Sequence, residues 1–271
     1  MRFLLAALFL IGPAKSQDPV NIVRRSLDRD HSNFELLKNY TYVQREETRE
    51  LDRSGKVTRT ESKTTEVLML GGRPYHHLIA RNDQPLSTEE KRKGQERMDQ
   101  ALARRQNPSE KEKEKLEKNR AEDRKFLREL PDAFTFRLLG EENVSGHRAW
   151  VISADPRPDF HAKDTASKIL TKVRGKVWID QAEYQWVKAE AEVLDTISFG
   201  FALFRLAPGG RMSFEQSRIN QEVWLPSYLH FRADARLGYV KKMRAEVEVT
   251  YRDYKKFQTD SRMVSPDGLQ R

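Results

Sequence analysis

The regular alternation of apolar and polar residues near the carboxyl end constrains the fold of this chain most. Between residues 243 and 251, every odd position is apolar or aromatic, and the positions between them are Arg, Glu or Thr. A second run at 187–193 alternates valine or alanine with lysine or glutamate. A period of two places successive side chains on opposite faces of a β-strand. These runs predict half-buried strands, apolar on one face and charged on the other.

Similar patterns recur along most of the chain. Strands are predicted at 40–51, 57–70, 75–80, 134–138, 150–152, 173–179, 187–193, 199–203, 223–231 and 243–251. Turn sequences such as Asp52–Gly55 separate consecutive strands, and short connections favour antiparallel pairing. We therefore predict a large antiparallel sheet of about nine to eleven strands. Such a sheet must curl or split to bury its apolar face.

Three segments have helical patterns instead. Asp18 and Pro19 are typical of a helix start, and the apolar residues that follow, to about Asn39, predict one amphipathic helix or two short ones. About 25 charged residues occupy 86–130. Capping boxes at Ser87 and Ser109 predict helices at 88–106 and 110–129 there, with Pro131 ending the second. Their apolar stripes are thin, so we expect the middle of this helical hairpin to project into water.

The first sixteen residues have the features of a secretory signal peptide. A basic start at Arg2 precedes an apolar run at 3–11, which is about half the length that a membrane span needs. Small residues at Ala14 and Ser16 favour cleavage near Ser16–Gln17, giving a periplasmic or secreted protein. We expect a single domain at 17–257, with the hairpin at 86–130 inserted in it, and a polar tail at 258–271.

The amino-acid composition and the lack of known motifs exclude several kinds of catalytic and metal site. The chain has no cysteine, which excludes disulfides, thiolate metal sites and cysteine nucleophiles. Its six histidines have no metal-ligand spacing, and the sequence contains no HExxH, GxSxG, GxGxxG or Walker motif. We therefore predict no catalytic residue, metal or cofactor, and a protein that is not an enzyme.

Aromatic residues on the predicted strands are the candidate ligand-binding residues. They are Trp150, Trp178, Phe199, Phe201, Phe204, Trp224 and Phe231. One interpretation is an ordinary packed core. The other is a curved sheet whose apolar face is too wide to fill, which leaves a cavity for a lipid, a lipoprotein acyl chain or another hydrophobic ligand. Each buried methylene contributes about 0.8 kcal/mol, so a long acyl chain would gain on the order of 10 kcal/mol before association costs.

The net charge of +9 is compatible with anionic partners. The hairpin at 86–130 is either a solvated structural insertion or an arm that touches an anionic envelope surface. Export makes nucleic acid an unexpected partner.

Several segments resemble a group of exported bacterial proteins of the outer-membrane lipoprotein-sorting (lipoprotein-carrier, LolA/LolB-like) superfamily. The segments are YTYVQREE at 40–47, GGRPYHHLIARNDQPLS at 71–87, GKVWIDQAEYQWVKAEAEV at 175–193, FGFALFRL at 199–206 and EVWLPSYLHFRADARL at 222–237. The resemblance implies an α+β, mainly antiparallel fold: a strongly curved, half-open β-barrel with a helical lid. It also implies a periplasmic location and an apolar cavity that shields acyl chains. The long hairpin at 86–130 departs from the compact carrier pattern.

Two functional hypotheses follow. The first is a non-catalytic carrier or sensor that binds a hydrophobic ligand inside the half-barrel. The second is an envelope scaffold that captures its partner through the charged hairpin.

Overall fold

The computed structural model describes residues 17–257, except 72, 107, 165, 200–203 and 238–240. The predicted signal peptide and polar tail lie outside the described residues. The helices are α1 (Pro19–Leu37), α2 (Thr88–Gln106), α3 (Glu110–Ala133) and one 3₁₀ helix (Ser167–Lys172). The strands are β1 (Tyr40–Leu51), β2 (Val57–Leu70), β3 (Arg73–Arg81), β4 (Gln84–Pro85), β5 (Phe134–Val144), β6 (His147–Pro156), β7 (Val173–Asp180), β8 (Trp186–Val193), β9 (Ile197–Phe199), β10 (Phe204–Leu206), β11 (Arg211–Ile219), β12 (Val223–Leu237) and β13 (Lys241–Lys256).

All strands of the described chain belong to one antiparallel sheet. Its main path runs β4-β3-β2-β1-β13-β12-β11-β8-β7-β6-β5, and β10 pairs with both β12 and β9. Strands β4 and β5 are the two edges and do not pair with each other among the described residues, so the sheet is open. The fold is therefore mostly antiparallel β with a few helices, consistent with a half-open barrel.

The predicted strand number was wrong. The described residues form thirteen strands, because β4 has two residues and β9 and β10 have three each. Segments this short cannot show a periodic pattern. Strand β11 was also missed, since only Met212 and Phe214 alternate clearly there.

Helix α1 is one continuous helix that lies across part of the sheet. The Asp18 side chain accepts a hydrogen bond from the Val20 amide, and Pro19 follows the cap as the sequence predicts. Ile22 and Val23 are buried against Trp150 and its neighbours on β6 and β7. The helix thus covers the β5–β7 side of the apolar face and, through its last turns, one end of β12.

Helices α2 and α3 pack in different places. Helix α2 packs on β2 and β3, whereas α3 packs on α1, β5 and the 3₁₀ helix. The capping box at Ser109 forms as predicted. The predicted stop at Pro131 was wrong, because α3 continues to Ala133. A proline is tolerated this close to a helix end, where it removes one hydrogen bond, and the buried Ala133 packs with Leu170.

Candidate functional site

Two rows of apolar side chains cross the four central strands on one face of the sheet. Cross-strand partners define the first row as Ala189, Phe214, Leu229 and Val249. They define the second row as Ala191, Met212, Phe231 and Val247. We call these eight residues the apolar rows. Directly opposed side chains on neighbouring strands contact each other, so the rows form a continuous surface across β8, β11, β12 and β13.

The apolar rows are only partly covered. Val249 is buried, but Met212 keeps 37% of its surface exposed, and the other six residues are half-buried. Helix α1 packs chiefly against β5, β7 and β12, and its carboxyl-terminal residue Leu37 lies beside Tyr40, at the start of β1. The strand ends near Met212 therefore lie away from α1.

On the opposite face, β12 and β13 and the adjoining strand β1 have charged side chains that are hydrogen-bonded to one another. Glu47 accepts hydrogen bonds from Arg45 at 2.9 Å and from Arg49 at 2.7 Å. His230 Nε2 lies 2.8 Å from a carboxylate oxygen of Glu246. The hydrogen bond from Arg45, supported by Arg49, holds the pKa of Glu47 below its ordinary value. A hydrophobic ligand thus has one suitable face on this part of the sheet.

The structure does not bring all the predicted aromatic residues into one site. Trp150 pairs across strands with Ile179, and Trp178 pairs with Val151, so the two tryptophan rings point to opposite faces. Trp150 is buried with α1, while Trp178 and Trp224 share a second cluster. The role of these tryptophans in ligand binding stays a prediction.

The predicted phenylalanines differ in placement. Phe231 lies in the second apolar row and packs against the buried Val193 cluster. Phe204 is 36% exposed at the end of the sheet. The side chain of Phe199 and all of Phe201 lie outside the described residues. Only Phe231 of the predicted set belongs to the apolar rows.

The indole N–H groups of two buried tryptophans, Trp178 and Trp224, have polar partners. Trp178 Nε1 donates to Glu142, and Trp224 Nε1 donates to Glu183, each at 2.7 Å. Because buried polar groups are costly without partners, these hydrogen bonds are typical of structural tryptophans.

A cavity of about 260 Å³ lies elsewhere, between β1, β2 and β13. Its lining residues are Thr41, Tyr42, Val43, Glu66, Asp253, Tyr254 and Lys255. None of the seven predicted aromatic residues is among them. The Tyr42 ring centroid is 5.2 Å from that of Tyr254 and 6.0 Å from that of Tyr251.

A β-bulge creates this tyrosine cluster. Tyr251 and Tyr254 are three positions apart, which would place them on opposite faces of a regular strand. The pairing of β13 with β1 shifts register here, and Asp253 has a φ of 58°. Burial raises the pKa of Tyr42, Tyr251 and Tyr254. The cluster is therefore neutral at physiological pH, and alternation alone could not reveal it.

The described part of the chain has no metal-ligating cluster and no helix that could span a membrane. No group of three or more His, Asp or Glu residues there could hold a metal ion. None of the described helices combines the length and the hydropathy that crossing a membrane requires.

No protein-family model and no curated protein matches the chain. Several solved structures resemble it at low identity. A DUF1329 family protein from Desulfovibrio piger is 13% identical, with a TM-score of 0.37, and the match covers 90% of this chain and 95% of that one. A domain described as an outer membrane lipoprotein-sorting protein, from Vibrio parahaemolyticus, is 12% identical, with a TM-score of 0.36 and coverage of 89% and 95%. A LolA superfamily protein from Nitrosomonas europaea is 9% identical, with a TM-score of 0.31 and coverage of 89% and 94%. The superfamily named from the sequence motifs is thus represented among these structures.

Proposed function

We propose that this protein is a non-catalytic carrier or sensor that binds one acyl chain, or a similarly elongated hydrophobic ligand, along the apolar rows. The observation that carries the proposal is the partial exposure of these rows in the middle of an open sheet. Contiguous exposed apolar surface is unusual on a soluble protein and typically marks a binding site.

The size of the surface fits an acyl chain. Neighbouring strands lie about 4.8 Å apart, so the four strands of the apolar rows span roughly 15 Å. Each methylene that leaves water for this surface contributes about 0.8 kcal/mol. A chain lying across the rows would therefore bind without a specific polar contact.

The rows also have a polar side. On β1, the partners of Val249 and Val247 are Glu46 and Thr48, and Lys63 of β2 is opposite Glu46. The same sheet face thus changes from apolar to polar between β13 and β1. An amphiphilic ligand would lie with its tail over β8–β12 and its head group towards β1.

Helix α1 serves in this proposal as a fixed cover over one end of the apolar face. Its burial of Ile22 and Val23 against β6 and β7 anchors it there. The export predicted from residues 1–16 would place this binding in the periplasm or outside the cell.

A titration of the chain from residue 17 onwards with a fluorescent long-chain fatty acid tests the proposal. Ala191→Trp fills the second apolar row, and we expect it to weaken binding about 10-fold or more, which corresponds to about 1.4 kcal/mol. Glu190→Trp is the matched control, because this residue is adjacent on β8 but points to the opposite face. Absence of saturable binding by the wild type, or equal losses in the two variants, would contradict the proposal.

A further inference from the structure

A line of charged residues continues the first apolar row beyond its last member, Val249. The direct cross-strand partner of Val249 on β1 is Glu46. Glu46 is opposite Lys63 on β2, and Lys63 is opposite Arg81 on β3. Directly opposed side chains lie on the same face of a sheet, so these three charged residues share the face of the apolar rows. We call Glu46, Lys63 and Arg81 the charged line.

Within the described residues, the charged line forms no ion pair. Glu46 and Lys63 have opposite charges on neighbouring strands, yet they do not pair with each other. Lys63 and Arg81 are exposed, and Glu46 is half-buried. Hydrogen bonds from Ser87 lower the pKa of Glu90 most, and the charge of Arg81 contributes less. The carboxylate nearest in effect to Arg81 is thus already held by another residue.

The acidic residues beside the charged line are paired with Arg59. Glu50 and Glu61 are on the same face, since each is an even number of positions along its strand from a member of the line. Arg59 Nη1 lies 3.6 Å from a carboxylate oxygen of Glu50, and Nη2 donates a hydrogen bond to Glu61. Lys63 and Arg81 therefore remain as opposed like charges, which destabilise a sheet. An anion bound between them would remove this cost.

Glu46 lies at the border between the apolar rows and the two cations. Burial raises the pKa of Tyr251 most, followed by electrostatic interactions with Tyr42 and then with Glu46. The Glu46 carboxylate is therefore near the Tyr251 ring. A half-buried carboxylate without an ion pair is unfavourable, and a carboxylate beside an aromatic ring is a suitable partner for an ammonium group.

Helix α2 packs on the face opposite the charged line. It contacts β2 and β3, where the buried Gly94 lies against the His77 ring. His77 is opposite Glu66 on β2. Because Glu66 is three positions from Lys63, the two side chains point to different faces. A ligand on the apolar rows can thus extend onto the charged line without meeting α2.

We propose that the ligand of the apolar rows is a zwitterionic amphiphile with a cationic group next to its tail and an anionic group farther out. The order of side chains from β13 to β3 is apolar, acidic, basic and basic. The tail lies on the apolar rows, the ammonium lies at Glu46, and the anionic group lies between Lys63 and Arg81. Neighbouring strands are about 4.8 Å apart, so the two ligand charges are one or two strand spacings apart. This inference rests on the proposed carrier function and names its ligand class.

Calorimetric titration with three amphiphiles that share a dodecyl tail tests this order of charges. Dodecyl sulfobetaine has its ammonium next to the tail, dodecylphosphocholine has its phosphate there, and dodecyl maltoside is uncharged. Each is added below its micelle concentration to the chain from residue 17 onwards. We expect the sulfobetaine to bind about fivefold more tightly than the other two, because one exposed ion pair contributes up to a factor of about five.

Neutralising the charged line should remove this preference. Glu46→Gln should weaken sulfobetaine binding about fivefold and Lys63→Gln/Arg81→Gln about tenfold, while maltoside binding stays unchanged. Glu66→Gln is the matched control for the first variant, because Glu66 is also half-buried but points to the opposite face. It should bind all three amphiphiles like the wild type. Thermal unfolding of each variant checks that it folds.

A charge swap separates recognition from a structural role. Glu46→Lys/Lys63→Glu should reverse the preference, so that dodecylphosphocholine binds more tightly than the sulfobetaine. Lys111→Gln/Lys115→Gln on α3, the control for the double neutralisation, should not alter binding. Equal binding of the three amphiphiles by the wild type would overturn this inference and leave the carrier proposal standing. Equal losses in the variants and their controls, or a folded charge swap that still prefers the sulfobetaine, would do the same. Saturable binding of none of the three would overturn both proposals.

Discussion

The side-chain amide of Asn33 on α1 bonds to both backbone groups of Trp224 on β12. Asn33 Nδ2 donates to the Trp224 carbonyl at 2.6 Å, and the Trp224 amide donates to Asn33 Oδ1 at 2.7 Å. Both residues are buried, with 9% and 2% of their surfaces exposed. These two hydrogen bonds take the place of those that a neighbouring strand would make with the Trp224 backbone, and they hold α1 on the sheet.

Replacement of this amide should be costly. Asn33→Ala leaves a buried carbonyl and a buried amide of Trp224 without partners, so we expect a loss of about 3 kcal/mol in the free energy of unfolding. Urea unfolding followed by tryptophan fluorescence measures the change. Asn21→Ala, at an exposed position of the same helix, is the control and should cost far less. Similar values for the two variants would show that the contact contributes little.

Arg105 attaches the end of α2 to the β2–β3 turn. Its Nη1 donates to the carbonyls of Leu70 and Arg73 at 3.3 and 2.9 Å, and its Nη2 donates to that of Pro74 at 3.2 Å. We expect Arg105→Ala to release α2 from β3 while the sheet stays folded. Hydrogen exchange of the amides in 88–106 should rise clearly. Exchange in β12 and β13 should not change.

The neighbouring Arg104 provides the control for this experiment. Its side chain is 70% exposed, and the distance to its acidic partner Glu112 is 3.8 Å. Arg104→Ala should leave exchange in α2 close to the wild-type rate. Faster exchange in both variants would mean that the loss of either arginine loosens this helix, and that the carbonyl contacts of Arg105 have no special role.

Glu47 should contribute to stability in a pH-dependent way. Arg45 first and Arg49 second lower its pKa below the ordinary value of 4.5. Because the folded-state pKa is depressed, this stabilisation is fully present above about pH 4.5 and is lost as the pH falls through the folded-state value. Glu47→Gln should therefore reduce the thermal midpoint at pH 7 more than at pH 3.

A carboxylate on the next strand tests the specificity of that effect. Glu61 is exposed on β2, and Glu61→Gln should change the thermal midpoint little at either pH. If Glu47→Gln lowered the thermal midpoint by the same amount at pH 3 and pH 7, the loss of stability would not come from the ion pairs with Arg45 and Arg49.

Long strands were predictable because alternation needs several residues to be visible. Strand β13 shows its apolar side at Met243, Ala245, Val247, Val249 and Tyr251 directly in the sequence. The short strand β10 pairs with β12, and β9 pairs with β10, and only the folded chain brings these segments together. Helix starts were predictable from local capping, whereas the extension of α3 past Pro131 depends on tertiary packing.

The candidate site was less predictable than the fold. The alternation within one strand shows that the side chains of Trp150 and Val151 point to opposite faces. Whether Trp150 and Trp178 point to the same face can be known only from the register between β6 and β7. The apolar rows likewise join residues of four strands through their register. The tyrosine cluster depends on the bulge at Asp253, which breaks the period itself.

Photo-crosslinking with a diazirine-labelled long-chain fatty acid tests the central claim most directly. If the ligand lies along the apolar rows, fragment sequencing of the labelled peptides should place the label on Phe214, Phe231 or Val247 themselves, and an excess of unlabelled fatty acid should remove it. Label confined to the opposite face, around Glu47 and His230, would contradict the account. Label that unlabelled fatty acid does not displace would contradict it as well.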